Sequence, residues 1–574
     1  MDPTGGLCAV SARSDVRAFP SASDASAAVF LLNDPEPRLA SIADLDAYLA
    51  RQFLPWCRVG ERLVIATADM SAENLAWIGA AYKGAHIAAM APSDLRATIT
   101  RRFCDRLSED AVYGLLSKKP HLSACAIVTR NQAVVLCATG VVVAIACSVW
   151  PHAIVQILVA FMSVGFAVST LFRAVLAWLG LDRRTVAGQP VAVCSDDGLP
   201  IYTILVPLYR EAAALPELAR SLLALDYPRD KLDIKFVVEE DDAETCAMAQ
   251  ALATRGHFEI VRVPHSLPRT KPKACNYALR FARGEYLVIY DAEDRPESDQ
   301  LRKAVASFRQ HPRKTACLQA RLDIYNANET WLSRMFALDY SIWFKALLPG
   351  LDRYGVPMPL GGTSNHFRTS LLREVCGWDP FNVTEDADLG IRLAQLGYRV
   401  SMLDSTTFEE APSRLGPWLR QRSRWLKGYM QTCLVHMREP IALTKRVGVR
   451  GVAVIQLFIG GVVWSALVNP VLWLIFLVSC IQAQANGETQ IVETLARISG
   501  LGLLTANTLL GCLALTGSRR ATQFTVIAYG LTFMFYWMLV SIAAYRGLWQ
   551  LIRKPFYWEK TPHGHGRMHG IQGS

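Results

Sequence analysis

The sequence predicts an α/β domain with a parallel sheet that is set between transmembrane helices and preceded by a small α+β domain. Long apolar stretches flank a more polar middle, and within that middle apolar runs of strand length alternate with helical patterns. The chain has 574 residues, of which 52% are hydrophobic and 19% charged. Soluble proteins carry roughly 25% charged residues, so this composition indicates a membrane protein.

Two apolar runs, Ala133–Trp150 and Ala153–Leu181, precede the polar middle. Each is long enough to cross the hydrocarbon core of a membrane, for which a helix needs roughly 20 residues. Because lysines and arginines lie on both outer flanks of this pair, both flanks are expected in the cytoplasm. Four more spans are expected after Arg450, with a break at Asn469-Pro470. They are Val452–Val468, Val471–Ile481, Ile498–Leu515 and Phe524–Ala544.

These patterns predict five regions in a multi-pass protein of the inner membrane whose α/β domain is cytoplasmic. The regions are a soluble N-terminal domain (1–125), two transmembrane helices (126–182), the α/β domain (183–444), about four transmembrane helices (445–550) and a cytoplasmic tail (551–574).

Three buried strands are predicted at Tyr202–Pro207, Ile234–Val238 and Tyr286–Tyr290, and two helices at Pro216–Ala224 and Asp299–Gln310. Strands that alternate with helices favour a parallel sheet, and ligands gather at the carboxyl ends of its strands. An acidic cluster directly follows each of the last two strands. We therefore expect a binding site at this edge of the sheet.

The two clusters are Glu239-Glu240-Asp241-Asp242 and Asp291-Ala-Glu293-Asp294. Mg²⁺ and Mn²⁺ prefer oxygen ligands and are commonly held by one or two carboxylates together with substrate phosphates. The second cluster is therefore a candidate metal site, whereas the first could also be a solvated face. Thr384-Glu385-Asp386 supplies a candidate general base and equally fits a helix N-terminus with Thr384 as its cap.

Further motifs each have a structural alternative. The turn Val206–Glu211 follows a strand and is either a ligand-binding turn or a simple strand-to-helix turn. Lys271-Pro-Lys273 offers phosphate-binding cations or surface lysines near a helix start. The loop Gly361–Phe367 allows close backbone approach to a ligand, and His366 within it is equally a candidate for a buried packing residue. Gln421-Arg422-Ser-Arg424-Trp425 combines arginines suited to diphosphate with an indole, within a segment that also reads as an amphipathic interfacial helix.

These motifs, in this order, resemble the family 2 inverting glycosyltransferases. The closest likeness is to processive membrane synthases such as cellulose, hyaluronan and chitin synthases, and it covers about residues 200–440 plus the flanking helices. The resemblance implies an α/β GT-A (Rossmann-like) cytoplasmic domain embedded between transmembrane helices. It implies that a UDP-sugar, glucose by preference, is polymerised into a β-linked polysaccharide that is exported across the bilayer.

The resemblance also implies roles for individual residues. Asp386 would be the base, supported by Glu385. The nucleotide sugar would contact Pro207, Tyr209, Glu211, Glu240, Asp241, Lys273 and Asp291. The acceptor and diphosphate would contact Gly362, Thr363, His366, Gln421, Arg422, Arg424 and Trp425. Mg²⁺ or Mn²⁺ would be held by Asp291, Glu293 and Asp294. The chain departs from the family where glutamates replace the usual aspartates, at Glu239, Glu240 and Glu293.

Other segments carry looser resemblances. The segment 556–564 is similar to the gating segments that close over the nucleotide in cellulose and hyaluronan synthases. Trp331, Tyr340, Trp343 and Phe344 are candidates for the mouth of a pore. Residues 44–103 resemble the N-terminal domain of type II secretion ATPases, some of which bind cyclic di-GMP. This region is expected to bind a regulator or a partner subunit, or to be purely structural.

Two other functions remain open from the sequence. One is a transferase that adds a single sugar to a lipid or protein acceptor, and the other is a catalytically silent receptor or subunit of an export complex. The net charge of +10 fits cytoplasmic lysine and arginine flanks. Since no basic run is interleaved with aromatics, no nucleic-acid partner is expected.

Overall fold

The computed structural model describes residues 34–181, 195–254, 258–486, 500, 502 and 523–558. The described residues form two compact units, one up to Leu107 and one from Ser108 onward. The helices are α1 (Leu45–Arg51), α2 (Ala72–Ala81), α3 (Pro92–Arg102), α4 (Cys104–Lys118), α5 (Arg130–Val149), α6 (Pro151–Leu181), α7 (Leu215–Leu223), α8 (Ala243–Ala253), α9 (Lys271–Leu279), α10 (Gln300–Gln310), α11 (Trp331–Ile342), α12 (Leu348–Tyr354), α13 (Thr369–Glu374), α14 (Glu385–Gln395), α15 (Leu415–His436), α16 (Pro440–Ile455), α17 (Gly461–Asn486) and α18 (Gln523–Arg553).

The N-terminal unit contains a three-stranded sheet. Its strands are β1 (Phe53–Val59), β2 (Arg62–Thr67) and β3 (His86–Ala89), with β1 antiparallel and β3 parallel to the central β2. The buried ring of Phe53 lies 5.2 Å from the ring of Tyr48 and 5.5 Å from that of Trp77. These contacts join the helices to the sheet, because aromatic pairs at such distances contribute beyond their buried area.

The second unit contains an eight-stranded mixed sheet. Its strands are β4 (Tyr202–Leu208), β5 (Leu232–Glu239), β6 (Phe258–Val263), β7 (Tyr286–Ile289), β8 (Arg295–Pro296), β9 (Thr315–Ile324), β10 (Asn365–Arg368) and β11 (Arg399–Glu409), in the order β6-β5-β4-β7-β10-β9-β11-β8. The first four strands of that order are parallel, as predicted. Beyond these strands the sheet is mixed, because β10 runs antiparallel to both β7 and β9.

Helices α7 and α10 coincide with the two predicted helices to within one residue at each end. Their apolar faces cover a core in which Tyr202, Phe236 and Phe308 are fully buried. An amphipathic helix is stabilised mainly by burial of such a face, so the sheet and its covering helices form one rigid layer pair. This layer pair fixes the positions of the loops at the strand ends.

Three helices in the described part of the chain are long and apolar enough to cross a membrane, namely Arg130–Val149, Pro151–Gly180 and Pro440–Ile481. The first two match the predicted pair. The predicted break at Asn469-Pro470 is wrong, because α17 continues through Pro470. Neighbouring helices satisfy the freed backbone groups of such prolines, and here the Asn469 side chain lies 3.4 Å from the Ser541 hydroxyl of α18.

The two remaining predicted spans have different outcomes. Residues 498–515 lie outside the described residues, except for residues 500 and 502, whereas residues 524–544 fall within α18.

Two π-helical segments, Trp343–Leu347 and Gln456–Gly460, continue α11 and α16 and contact each other through Trp343 and Phe458, whose rings lie 4.7 Å apart. Such π-helical turns are frequent at functional sites.

Candidate active site

The turn after β4 is held by the acidic end of β5. The backbone of Arg210 has a positive φ of 54°, and its N–H donates to Asp242 Oδ2 at 2.5 Å. The other Asp242 oxygen caps α8 by accepting from the Thr245 N–H at 3.3 Å. Asp242 is therefore a structural residue that fixes the turn, and this turn presents Pro207, Tyr209 and Glu211 to the cavity described below.

Arg269 connects the first acidic cluster to the same turn. Its guanidinium lies 2.8 Å from Asp241 Oδ2 and donates to the Tyr209 hydroxyl at 3.0 Å. Tyr209 and Arg269 line the cavity, whereas Asp241 and Glu240 do not. The structure therefore places Asp241 behind Arg269, and Glu240 outside the cavity wall.

The two lysines at the start of α9 occupy different environments. Lys273 is fully buried, and its Nζ lies 2.9 Å from Glu239 Oε2. Lys271 lines the cavity, and its Nζ lies 2.6 Å from Asp291 Oδ1 and 2.6 Å from the Gly362 carbonyl oxygen. The cation that faces the cavity is thus Lys271, two residues before the predicted Lys273.

The second acidic cluster divides into two roles. Asp291 and Glu293 line the cavity, whereas Asp294 is 1% exposed and lies in the loop behind them. Asp294 Oδ2 accepts from the Asp291 N–H at 2.7 Å and from the Thr363 hydroxyl. Burial and the charge of Asp291 raise the pKa of Glu293 to about 8. Asp294 therefore ties this loop to the loop of Thr363 and presents Asp291 and Glu293 to the ligand space.

The predicted base lies at the first turn of α14. Asp386 and Glu385 are buried and both line the cavity. Asp386 Oδ1 accepts from the Trp378 indole N–H at 3.0 Å, which fixes the orientation of the carboxylate. Burial, together with the charge of Glu385, raises the pKa of Asp386 well above its usual range. A carboxyl in this environment has the raised basicity that a general base requires.

Helix α15 packs directly against this turn. A Cβ on Gly428 would lie 2.2 Å from Thr384 Oγ1, so the glycine permits an approach that alanine would prevent. On the same helix, Gln421, Arg422, Arg424 and Trp425 all line the cavity. Helix α15 therefore brings the predicted Gln421–Trp425 motif to the same cavity as Asp386.

The two arginines of this motif have different partners. Arg422 lies 2.6 Å from Asp339 Oδ2, donates to the Tyr536 hydroxyl at 2.7 Å and stacks over the Trp425 ring at 4.7 Å. Arg424 lies over the Trp558 ring at 5.0 Å, and its buried Nε has no hydrogen-bond partner among the described residues. The Nε of Arg422 is likewise buried without a partner, so the two arginines differ in their other contacts: Arg422 forms an ion pair and a hydrogen bond, whereas Arg424 forms neither with a described residue and is available to a ligand.

The glycine loop contributes unequally to the site. Gly362 and Thr363 line the cavity, and a Cβ on Gly362 would meet nothing within 4 Å. His366 is fully buried behind the sheet, where its Nδ1 lies 2.7 Å from the Tyr202 hydroxyl and its Nε2 lies 3.1 Å from Gln300 Oε1. Burial lowers its pKa to about 3. The structure therefore places His366 in the core, away from the ligand.

All the groups assigned above to the cavity line a single space of about 820 Å³. This space continues from the carboxylates toward the apolar helices, where Arg173 of α6, Val462 of α17 and Trp537 of α18 complete the wall. Arg173 is buried, donates to the Ser465 hydroxyl at 3.1 Å and lies 5.2 Å from the centre of the Trp537 ring. Of the predicted pore-mouth aromatics, Tyr340, Trp343 and Phe344 line this space and Trp331 does not.

The sequence did not single out several cavity residues. Glu409, at the end of β11, lines the cavity with its pKa raised by burial and by the carboxylates of Glu293 and Asp291. Tyr557 and Trp558 also line it, and they belong to the segment 556–564 that resembles a gating segment; residues 559–564 of that segment lie outside the described residues. The Tyr557 carbonyl accepts from Lys427 Nζ at 2.6 Å. Glu409 belongs to no recognisable motif. The signal that could have indicated it is its position as an acidic residue at the end of a strand.

A protein-family model matches part of the region that forms this sheet and cavity. Residues 286–545 match the family model described as "Glycosyl transferase family group 2". The chain contains a family 2 glycosyltransferase domain. The mixed sheet is accordingly a GT-A-like fold, and the prediction of a glycosyltransferase domain is confirmed.

Curated relatives are similar to the glycosyltransferase domain over part of their own length. The "Probable glycosyltransferase YdaM" of Bacillus subtilis (strain 168) is 24% identical over 251 residues, 43% of this chain and 60% of that protein. The "Beta-monoglucosyldiacylglycerol synthase" of Trichormus variabilis is 27% identical over 257 residues, 44% of this chain and 53% of that protein. "Probable glucomannan 4-beta-mannosyltransferase 9" of Oryza sativa subsp. japonica is 25% identical over 265 residues, 43% of this chain and 50% of that protein. The chain thus spans between half and three fifths of these relatives.

Solved structures show a more distant likeness. The mannosyltransferase PcManGT from Pyrobaculum calidifontis, in complex with GDP-Man and Mn²⁺, has a TM-score of 0.44 and 19% sequence identity, covering 69% of this chain and 99% of that one. Residues 1–349 of S. aureus TarS, in complex with UDP, have a TM-score of 0.29 and 14% identity, covering 62% of this chain and 93% of that one.

The cavity carboxylates fit a divalent cation that is completed by substrate. Asp291 and Glu293 supply hard oxygen ligands to the same space, and Asp294 Oδ1 is buried with no hydrogen-bond partner among the described residues. Within the described ranges, no group of three or more His, Cys, Asp or Glu side chains could hold a metal by itself. A cation here would therefore take its remaining ligands from donor phosphates and water, as Mg²⁺ usually does.

Proposed function

We propose that this protein is a membrane-bound inverting hexosyltransferase that uses a nucleotide sugar. The donor is a UDP-sugar, glucose by preference, and the product is a β-linked polysaccharide that leaves through the transmembrane helices. The observation that carries the proposal is the continuous cavity. One space of about 820 Å³ is lined by Asp386, by Asp291 and by Arg173 of a candidate membrane helix. An acceptor that extends along this space would meet both the donor site and the bilayer.

The chemistry follows from the positions of the charged groups. Inversion by direct displacement needs a base that takes the proton of the acceptor hydroxyl as its oxygen attacks the anomeric carbon. Asp386 is that base, oriented by the Trp378 N–H. As the bond to the diphosphate breaks, negative charge grows on the leaving group. Lys271 and Arg424 are the cavity cations placed near Asp291 and Glu385, respectively, to stabilise this charge.

A divalent cation would supply further stabilisation of the departing diphosphate when bound. Asp291 and Glu293 would hold it, and Asp294 would keep their loop in place through Thr363. Pro207, Tyr209 and Glu211 form the wall beside the nucleotide. In this assignment, Glu240, Asp241 and Lys273 support the nucleotide site from behind, while Tyr557 and Trp558 close the opposite side.

A second candidate is a transferase that adds one sugar to a lipid acceptor. It is supported by the same apolar end of the cavity, because Val462 and Trp537 would contact acyl chains as readily as sugar rings. The relatives include proteins named for both kinds of product. The size of the labelled product separates the two candidates.

The test uses inverted membrane vesicles that contain the full chain. They are incubated with Mg²⁺ or Mn²⁺ and radiolabelled UDP-glucose or, separately, UDP-N-acetylglucosamine, with the Asp386→Asn variant as control. High-molecular-weight label that is lost in the variant is the expected result. Label confined to the lipid extract would replace the polymerase with the single-sugar transferase. No transfer from UDP-glucose, UDP-N-acetylglucosamine or GDP-mannose, with and without cyclic di-GMP, would overturn both enzyme assignments in favour of a silent receptor.

A further inference from the structure

A second cavity, separate from the active site, concentrates positive charge. It has a volume of about 460 Å³ and shares no lining residue with the active-site cavity. Its wall contains four cations, Lys314, Arg353, Arg399 and Arg446, and no aspartate or glutamate. We propose that this basic pocket, defined by the four cations, binds the phosphate of an anionic lipid headgroup.

The four cations come from separate elements that are fixed relative to one another. The Arg399 N–H donates to the Lys314 carbonyl at 2.9 Å, which joins the start of β11 to the loop before β9. A Cβ on Gly355, whose φ is 60°, would lie 3.2 Å from Arg399 Nη2, so the turn after α12 packs closely on that guanidinium. The pocket is therefore a converging set of cations and not one charged helix face.

Three of the four cations carry a charge that no described carboxylate pairs with. In the part of the chain that the structure describes, no carboxylate forms an ion pair with Lys314, Arg399 or Arg446. The neighbouring Asp352 has an electrostatic interaction with Arg399, but its Oδ2 accepts from the Met402 N–H at 2.9 Å and it does not line the pocket. An anion that enters the pocket would thus meet an excess of positive charge.

The pocket lies where two candidate membrane spans end. Arg353 Nη1 donates to the carbonyl of Leu179, at the end of the span Pro151–Gly180. Arg446 lies two residues before Gly448, where the backbone leaves the helical conformation (φ 73°, ψ 167°), and the apolar part of α16 begins after Arg450. Both spans therefore pass from apolar to basic sequence at this pocket, at the level of lipid headgroups.

Exposed apolar side chains beside the cations favour a lipid over a soluble anion. Tyr354 lines the pocket and is 56% exposed, and Val449 and Ile441 of α16 are about three-quarters exposed. Tyrosines are enriched at the interface between hydrocarbon and water, and basic clusters next to membrane spans attract anionic headgroups. The combination provides contacts for both the phosphate and the upper acyl chain.

The experiment counts lipids that stay bound to the full-length protein. Wild type and variants are placed in nanodiscs of phosphatidylcholine with 20% phosphatidylglycerol, and retained lipids are measured by native mass spectrometry. The Arg399→Gln/Arg446→Gln variant is compared with Arg220→Gln/Arg229→Gln, which removes the same charge from exposed sites on the α7 side of the sheet. Each membrane-facing cation contributes about a fivefold factor in binding, so the pocket variant is expected to bind phosphatidylglycerol about 25-fold more weakly.

Three outcomes decide the proposal without reference to sugar transfer. Retention by wild type and by the control variant, with loss in the pocket variant and recovery in Arg399→Lys/Arg446→Lys, supports it. Equal retention in both glutamine variants overturns it. Displacement of phosphatidylglycerol by micromolar glycerol 3-phosphate would also overturn the lipid assignment, because the pocket would then prefer a soluble phosphate.

Discussion

The Arg422 guanidinium lies 2.6 Å from the Asp339 carboxylate, and this pair links α15 to α11 at the wall of the cavity. The rings of Trp425 and Phe336 lie on the same guanidinium, 4.7 and 4.8 Å from it. Arg422 thus holds the two helices together. The neighbouring Arg424 has a different role, since it forms no ion pair or hydrogen bond with a described residue and lies over the Trp558 ring.

This difference predicts that one of two matched substitutions lowers stability and the other lowers the rate of sugar transfer. Arg422→Gln is expected to lower the free energy of unfolding by about 3 kcal/mol, because it leaves Asp339 without its partner in a mostly buried site. Arg424→Gln is expected to leave stability nearly unchanged and to lower kcat about 100-fold. Unfolding in detergent micelles and sugar transfer measured on both variants check this. Equal losses of stability would contradict the assignment.

The two lysines of α9 provide a second matched pair. Lys273→Gln removes the buried partner of Glu239 and is expected to destabilise the fold by about 3 kcal/mol. Lys271→Gln removes the cation next to Asp291 and is expected to weaken UDP binding and to lower kcat while the protein stays folded.

Calorimetric titration with UDP, combined with thermal unfolding, distinguishes the two variants. If Lys271→Gln bound UDP as tightly as wild type, Lys271 would not be a diphosphate ligand. If Lys273→Gln were as stable as wild type, the buried pair with Glu239 would be dispensable.

The positions of these residues show which parts of the site the sequence predicts. Asp291 follows a strand and Asp386 begins a helix, so local patterns place both at the ligand edge of the sheet. Lys271 and Lys273 are two residues apart on a helix, about 200° around its axis, and the motif alone does not say which one faces the ligand. His366 lies on β10, whose antiparallel insertion between β7 and β9 turns it toward Tyr202. Glu409 lines the cavity because β11 pairs with β9 and β8 in the sheet. This pairing joins segments that are far apart in the sequence, so a local pattern does not predict it.

Gly428 provides a test of the packing that positions the base. In Gly428→Ala, the added Cβ would lie 2.2 Å from Thr384 Oγ1 and would displace the first turn of α14, which carries Asp386. We expect kcat to fall about 100-fold while UDP binding stays within twofold, because small misplacements of a reacting group are costly.

Gly416→Ala is the matched control, because it lies on the same helix and its Cβ would meet its nearest atom at 3.7 Å. This variant should keep the wild-type rate. Wild-type activity in Gly428→Ala would show that α15 can move away from the Thr384 turn without any loss of kcat.

The environment of Asp386 predicts opposite shifts in the dependence of activity on pH. The base must be deprotonated to act, so kcat falls as the pH drops through its pKa, which burial and Glu385 raise. The Trp378 N–H favours the charged carboxylate, so Trp378→Phe should raise this pKa and move the acid limb of the profile to higher pH. Glu385→Gln removes a neighbouring negative charge and should move the limb to lower pH. Profiles of kcat against pH for both variants check the signs, and shifts in the same direction would remove Asp386 from the role of base.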